Sequence, residues 1–248
     1  MVILGIDIGG SGIKAAPVDV KAGELLSDRY RLATPRPAKP EAVMDVAAEV
    51  AAHFDWTGPI GCAFPGVVSG GVVHTAANVH NSWIGTDGRG LLVERTGCRV
   101  HMLNDADAAG IAEMSVGAGK GRMGLVIMFT FGTGIGSALF MDGHLIPNTE
   151  LGHLEFKGEK AEHRAAARLF EDGELSLEKW TKRLDKYLQH VERLLRPELI
   201  IFGGGVSKQY TEILPRIKTR AELVPAKLFN HAGIAGAALA AHEAFNGE

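Results

Sequence analysis

A chain of 248 residues lies near the upper limit of what one hydrophobic core serves, so one large domain and two smaller lobes are both open. Its 46% hydrophobic and 22% charged residues exclude a disordered chain, and 26 basic against 29 acidic residues, a net charge of −3, exclude a global attraction to nucleic acid or an anionic membrane. Any polyanion site is therefore local. Cys62 and Cys98 form no CxxC pair, which argues against a disulfide scaffold or a cysteine zinc site. Residues 1–8 carry no cationic leader and no apolar run reaches membrane-spanning length, so the chain reads as cytoplasmic.

Glycine is in excess, with 32 residues, roughly 13% of the chain against about 7% on average, clustered at the ends of apolar runs. Residues 2–8 form a β-rich run ended by Gly9-Gly10-Ser11-Gly12, and residues 13–18 and 25–32 continue it as a three-stranded meander. After the prolines at 35, 37 and 40, residues 41–54 place Val43, Val46, Ala47 and Val50 at helical spacing. Residues 60–64 and 100–103 are further apolar strands, the first running into Pro65-Gly66 and the second into Asn104-Asp105 and a helix over 106–116. A strand over 124–131, the turn Gly132-Thr133-Gly134-Ile135-Gly136 and a strand through Met141 follow. Helices are expected at 160–170 and 176–195, a strand at 199–202 ahead of Gly203-Gly204-Gly205, and a terminal helix at 233–245.

The opening and the middle of the chain repeat each other. Setting Asp7 against Thr130 puts Gly9 on Gly132 and Asp19 on Asp142, with strand, glycine turn and strand in register, and an internal duplication is the better reading. The organisation expected is α/β, with a small lobe over 1–108, a larger lobe over 109–233, and a terminal helix, 234–248, packing back on the first.

A glycine turn between two strands leaves several backbone N–H groups pointing one way with no Cβ in front of them, which makes a concave anion site. Two such turns, Gly9 to Gly12 and Gly132 to Gly134 with Thr133 between, suggest two phosphate contacts. Neither is a Rossmann fingerprint or a P-loop, since a strand rather than a helix follows each. Asp7 stands just before the first turn, and an acid beside bound phosphate is repelled unless a cation such as Mg²⁺ lies between. Lys14 adds positive charge there or is an ordinary strand lysine. Asn104-Asp105 ends a buried strand before a helix, where capping alone would explain either residue; Asp105 in a cleft could also accept the proton of an attacking hydroxyl. Glu150-Leu151-Gly152-His153 offers a carboxylate and an imidazole suited to vicinal hydroxyls.

The runs Leu4-Gly-Ile-Asp7-Ile-Gly-Gly-Ser-Gly-Ile-Lys14, Asn104-Asp105-Ala-Asp107-Ala-Ala-Gly110, Phe131-Gly-Thr-Gly-Ile-Gly136 and Glu150-Leu-Gly-His153 resemble, in the same order, the ROK family of sugar kinases. Residues 10–19, 81–87, 150–155, 203–208 and 232–238 resemble more narrowly the branch of that family that takes inorganic polyphosphate as phosphoryl donor. The resemblance implies a two-lobed actin-like, ribonuclease-H-like fold with the active site in the cleft between the lobes, often as a homodimer. It implies phosphorylation of glucose at the 6-hydroxyl with Mg²⁺, from polyphosphate with ATP as a further donor. Carried over by position, Asp105 is the general base, Asn104, Glu150 and His153 hold the sugar, and Glu162 lines up with a glutamate that does the same. Asp7 holds Mg²⁺, directly or through water, while Gly9, Gly10, Ser11, Gly12, Lys14, Gly132, Thr133 and Gly134 hold phosphates.

The family's usual zinc cluster CxCGxxGCxE is missing after His153, so no zinc is expected. No DNA-binding helix-turn-helix precedes Met1, and the expected partners are glucose with polyphosphate or ATP, with neither nucleic acid nor membrane. An ATP-dependent hexokinase acting on glucose, mannose or another hexose is the alternative. A polyphosphate chain needs a basic track, for which Arg29, Arg31, Arg36, Lys39, Lys218, Arg220 and Lys227 are available.

Overall fold

The structure is a computed structural model and describes residues 1–77 and 79–247. In chain order the elements are β1 (Val2–Ile8), β2 (Gly12–Asp19), β3 (Glu24–Leu25), β4 (Tyr30–Ala33), α1 (Pro40–Ala52), β5 (Ile60–Phe64), β6 (Val68–Ser69), β7 (Val72–Val73), α2 (Gly88–Thr96), β8 (Val100–Asn104) and α3 (Asp105–Val116). There follow β9 (Leu125–Phe131), β10 (Ile135–Met141), β11 (His144–Ile146), β12 (Glu155–Phe156), β13 (Glu159–Lys160), α4 (Ala161–Ala165), α5 (Arg168–Glu171), α6 (Leu177–Leu195), β14 (Leu199–Gly203), α7 (Tyr210–Ile213), β15 (Glu222–Pro225) and α8 (Ala232–Asn246). They build two compact units, Met1–Ala112 with the segment from His231 on, and Glu113–Asn230.

Each unit is built on one mixed sheet, and the two sheets have the same plan. The first runs β3-β2-β1-β5-β8, with β4 also on β2; the second runs β11-β10-β9-β14-β15. In both, an antiparallel hairpin is followed by two parallel additions, β1 with β5 and β8, β9 with β14 and β15. The duplication read from the sequence is thus a repeated topology, with one correction. Ile8 pairs with Ile13 across the four residues Gly9 to Gly12, whereas Phe131 pairs with Ile135 across the three residues Gly132 to Gly134. Turn length fixes hairpin register, so the second strands match one residue earlier than expected, and the counterpart of Asp19 is Met141 rather than Asp142.

Side chains alternate across a strand, and both faces of the first sheet are buried. Leu4, Ile6 and Ile8 of β1 and Ile60, Cys62 and Phe64 of β5 meet Val43, Met44, Ala47 and Val50 of α1 on one face. On the other, Ile3, Ala16 and Val18 meet Ile234, Ala238 and Ala241 of α8, and Ala63 and Leu103 meet Ala237 and Ala240. That helix lies close because Gly5 and Gly61 face it. A Cβ on either would run into the main chain of Ile234 or Ala237. In the second unit, Ile127, Phe129 and Phe131 pack with Trp180, Leu184, Tyr187, Leu188 and Val191 of α6, whose N-terminus is capped by Ser176 accepting from the Lys179 amide at 3.3 Å.

The short strands β6, β7, β11, β12, β13 and β15 and the helix α7 were not expected, and three further elements differ. The strand over 25–32 splits into β3 and β4 around exposed Ser27 and Asp28. The helix over 160–170 breaks into α4 and α5 at Ala166, which is extended (φ −60°, ψ 147°), because the Trp180 indole takes the carbonyls of Ala165 and Ala166 at 3.0 and 3.1 Å. Helix α2 was not expected: Gly88 and Gly90 lower its propensity, and Asp87 nucleates it by accepting from the Gly90 amide at 2.9 Å. Among the described residues no helix is long and apolar enough to cross a membrane.

Candidate active site

The parallel strands of the first sheet end together. Asp7 is level with Ala63 and Ala63 with Leu103, so the glycine turn after β1 and the Asn104-Asp105 step after β8 leave the same edge, the carboxyl edge where open α/β sheets gather ligands.

At that edge the first turn closes on itself through the Gly9 amide, which donates to the Gly12 carbonyl at 3.0 Å. Its other carbonyls are tied back. Thr34 Oγ1 donates to the Gly9 carbonyl at 2.5 Å, Arg36 Nη2 to the Gly10 carbonyl at 3.1 Å and Arg31 Nη2 to the Ser11 carbonyl at 2.7 Å. In a trans peptide the N–H lies opposite its C=O. The amides of Gly10, Ser11 and Gly12 therefore point away from these three side chains, as an anion cradle requires. Asp7 and Lys14 face each other across β1 and β2, with Lys14 Nζ donating to Asp7 Oδ2 at 2.8 Å. Gly233, in the first turn of α8, makes room for the Asp7 carboxylate: a Cβ there would lie 2.9 Å from it. His231 is close enough to Arg29 and Lys14 that burial, and then those two charges, hold its imidazole below the ordinary value. Beneath Asp7, burial and then the Asp7 charge push the Cys62 thiol well up, so it stays protonated and unreactive.

The residues fit Mg²⁺ in one way. Among the described residues no three His, Cys, Asp or Glu side chains are grouped to hold a metal, so a protein-only cage is not formed. Magnesium ordinarily takes one or two carboxylates, phosphate oxygens and waters, and Asp7, a single carboxylate just ahead of the turn with one oxygen on Lys14, suits that mode.

Asn104 is buried and caps α3. Its Oδ1 accepts from the amides of Ala106 and Asp107 at 2.8 and 3.0 Å, and its Nδ2 donates to the Gly66 carbonyl at 3.0 Å. One amide hydrogen is left for a ligand. This cap fixes half-buried Asp105 as the first residue of α3, where the helix dipole favours a carboxylate.

In the second unit Glu150, His153 and Glu162 come together. His153 stands between two carboxylates, Nδ1 3.6 Å from Glu150 Oε2 and Nε2 3.4 Å from Glu162 Oε1. Burial lifts the Glu150 carboxyl above its ordinary value; His153 opposes this, Glu162 adds to it and Lys160 opposes it. Glu162 also sits against the second glycine turn, where a Cβ on Gly134 would meet its Oε2 at 2.6 Å. That turn closes through the Gly132 amide on the Gly134 carbonyl at 3.1 Å, and the Gly132 carbonyl accepts from the Arg168 amide at 3.1 Å. Gly204, at φ 88°, lies so close to the Phe131 main chain that the triple glycine supports this turn from below.

The short helical turn Leu151–His153 is held by residues that the sequence did not single out. Ser137 on β10 is buried; its Oγ donates to the Thr149 carbonyl at 2.5 Å and accepts from the Leu151 amide at 3.0 Å. Tyr187 on α6 donates to the Leu151 carbonyl at 3.0 Å, and Gly152 lies directly on the Ile135 main chain. Thr34 was likewise unmarked, and Arg31 and Arg36 were named only among the basic residues available for a polyphosphate track. The other basic residues divide between the units. Arg29 and Lys39 belong to the first. Lys218, Arg220 and Lys227 belong to the second, where their amides are held by Asp185, Glu192 and Glu113.

A model of the ROK family matches residues 3–165. The chain is 52% identical over 237 residues to the polyphosphate glucokinase of Mycobacterium tuberculosis (strain ATCC 25618 / H37Rv), covering 95% of this chain and 89% of that one. The crystal structure of inorganic polyphosphate/ATP-glucomannokinase from Arthrobacter sp. strain KM is 48% identical and superposes with a TM-score of 0.95 over 98% of this chain and 99% of that one. A ROK family glucokinase from Streptomyces griseus, crystallised with glucose and AMPPNP, superposes with a TM-score of 0.85 over 98% and 100% of the two chains at 24% identity, a likeness of fold.

Proposed function

The chain belongs to the ROK family, and from that premise we propose that it phosphorylates glucose at the 6-hydroxyl, with inorganic polyphosphate as donor and ATP as an alternative, giving glucose 6-phosphate. The observation that carries this reading is the shared edge of the first sheet, where the glycine turn after β1 and the Asn104-Asp105 step leave the same edge from strands two spacings, about 10 Å, apart.

In this reading Asp105, in the first turn of α3, accepts the proton of the 6-hydroxyl as the oxygen attacks phosphorus. Glu150, His153 and Glu162 hold ring hydroxyls, the carboxylates as acceptors and the imidazole as donor or acceptor, and Asn104 offers its remaining amide hydrogen. The amides of Gly10, Ser11 and Gly12 and the Lys14 ammonium face donor phosphates. The turn Gly132 to Gly134 and the Thr133 hydroxyl add neutral donors. Magnesium at Asp7 supplies neutralisation of charge on the donor phosphates. Zinc has no part in the proposal.

The test is direct. The purified chain is incubated with glucose, Mg²⁺ and either long-chain polyphosphate or ATP, and glucose 6-phosphate is assayed. Product from polyphosphate is expected; product from ATP alone leaves a hexokinase and removes the polyphosphate assignment, and no product from either donor removes both.

A further inference from the structure

The first glycine turn spends its carbonyls in an uncommon way. Glycine turns are conformationally permissive, and a cradle of amides binds an anion well only if its peptide planes are already oriented. Here consecutive carbonyls of Gly9, Gly10 and Ser11 are each taken by a different side chain, Thr34, Arg36 and Arg31, all reaching in from β4 and the loop after it. Thr34 is buried, while both arginines are exposed. A guanidinium laid on a carbonyl has also turned part of its charge away from any donor.

We infer that Arg31, Thr34 and Arg36 are positioning residues for the phosphoryl donor: they fix the peptide planes of the turn so that the amides of Gly10, Ser11 and Gly12 face phosphate oxygens. The inference rests on the proposed kinase activity for its biological meaning but not for its measurement, since phosphate binding is read without turnover. Gly12 takes part as well. A Cβ on it would collide with the Arg31 guanidinium, so the turn and its clamp share one space.

The probe is inorganic tripolyphosphate, titrated calorimetrically into the whole chain at several salt concentrations. Thr34→Val removes one neutral hydrogen bond and no charge. It is expected to weaken tripolyphosphate about fivefold, leave the salt dependence parallel to the wild type and leave glucose affinity unchanged, while Thr34→Ser restores binding. Arg36→Ala and Arg31→Ala are expected to weaken tripolyphosphate about tenfold, and Arg36→Lys and Arg31→Lys, which keep the charge but lose the planar fork, to resemble them rather than the wild type. Full affinity in Thr34→Val, or full recovery in both lysine variants, overturns the inference: the first would make the clamp irrelevant to the donor, the second would make the arginines plain charges. Absence of tripolyphosphate binding in the wild type overturns it too. If an arginine variant does not fold, the threonine pair decides. Failure to phosphorylate glucose would remove the proposed function while these titrations still report on the turn.

Discussion

The two glycine turns sit at the same place in two sheets of one design and are dressed oppositely. The first is flanked by the Asp7–Lys14 pair and clamped by Arg31 and Arg36; where that pair stands, the second sheet has Thr130 opposite Gly136, and the side chain against its turn is the carboxylate of Glu162. A repeated backbone therefore supplies two sets of turn amides, and the side chains around them decide what each can approach. Both turns offer amides to an anion, but only the first adds cationic side chains, while the carboxylate beside the second is a group that suits neutral hydroxyls. Damage to the side chains around the two turns is expected to separate in the kinetics, donor parameters following the cationic clamp of the first and sugar parameters following Glu162 beside the second.

The largest effect belongs to neither turn. Asp105→Asn keeps size and removes the proton acceptor, so kcat is expected to fall on the order of 10²-fold or more while glucose and donor affinities persist. Near-normal turnover would take Asp105 out of the chemistry and leave the turns as the only catalytic features of the comparison. Next, Glu162→Gln keeps the shape beside Gly134 and removes a charged acceptor. The KM for glucose is expected to rise roughly tenfold with little change in the donor KM; a rise confined to the donor would erase the contrast between the turns.

The smallest effect is on stability. Burial raises the Glu150 carboxyl, so between its ordinary and raised values the folded chain holds more protons than the unfolded one, and stability falls as pH rises through that window. Glu150→Gln removes this term. Its melting temperature at pH 7 is expected to match or exceed the wild type by about 2 °C, with the gap narrowing on acidification as Glu150 protonates, although glucose binding is weakened. A lower melting temperature that is independent of pH would show that the carboxylate is there for the fold.

Much of this arrangement is legible in the sequence because it is local. Continuous apolar runs ending in glycine mark β1, β5, β9 and β14, and helical spacing marks α1 and α6. Asn104 and Asp105 are marked by standing between a buried strand and a helix. The clamp is not legible, because Thr34 reaches Gly9 and Arg36 reaches Gly10 across more than twenty residues, and nothing in their own neighbourhood distinguishes them from loop residues. Tyr187 reads only as one more apolar position of α6, yet its hydroxyl supports Leu151. The one-residue difference between the turns is invisible for another reason: glycines align equally well in either register, and only strand pairing shows which one the backbone takes.

The return of α8 to the first sheet bears on the order in which the chain assumes its form. Residues 113–230 contain every strand of the second sheet and most of the residues of its core, so that unit is complete as soon as its own stretch has been synthesised. The first unit is emerging earlier but is left with Ile3, Val18, Ala63 and Leu103 uncovered until Ile234, Ala237, Ala238 and Ala241 arrive. Domains made on the ribosome commonly settle from the N-terminus onward. Here the later-made unit has its whole core in the chain before the first does, and the backing of β1, which carries Asp7, and of β8, which leads into Asp105, is the last to be made.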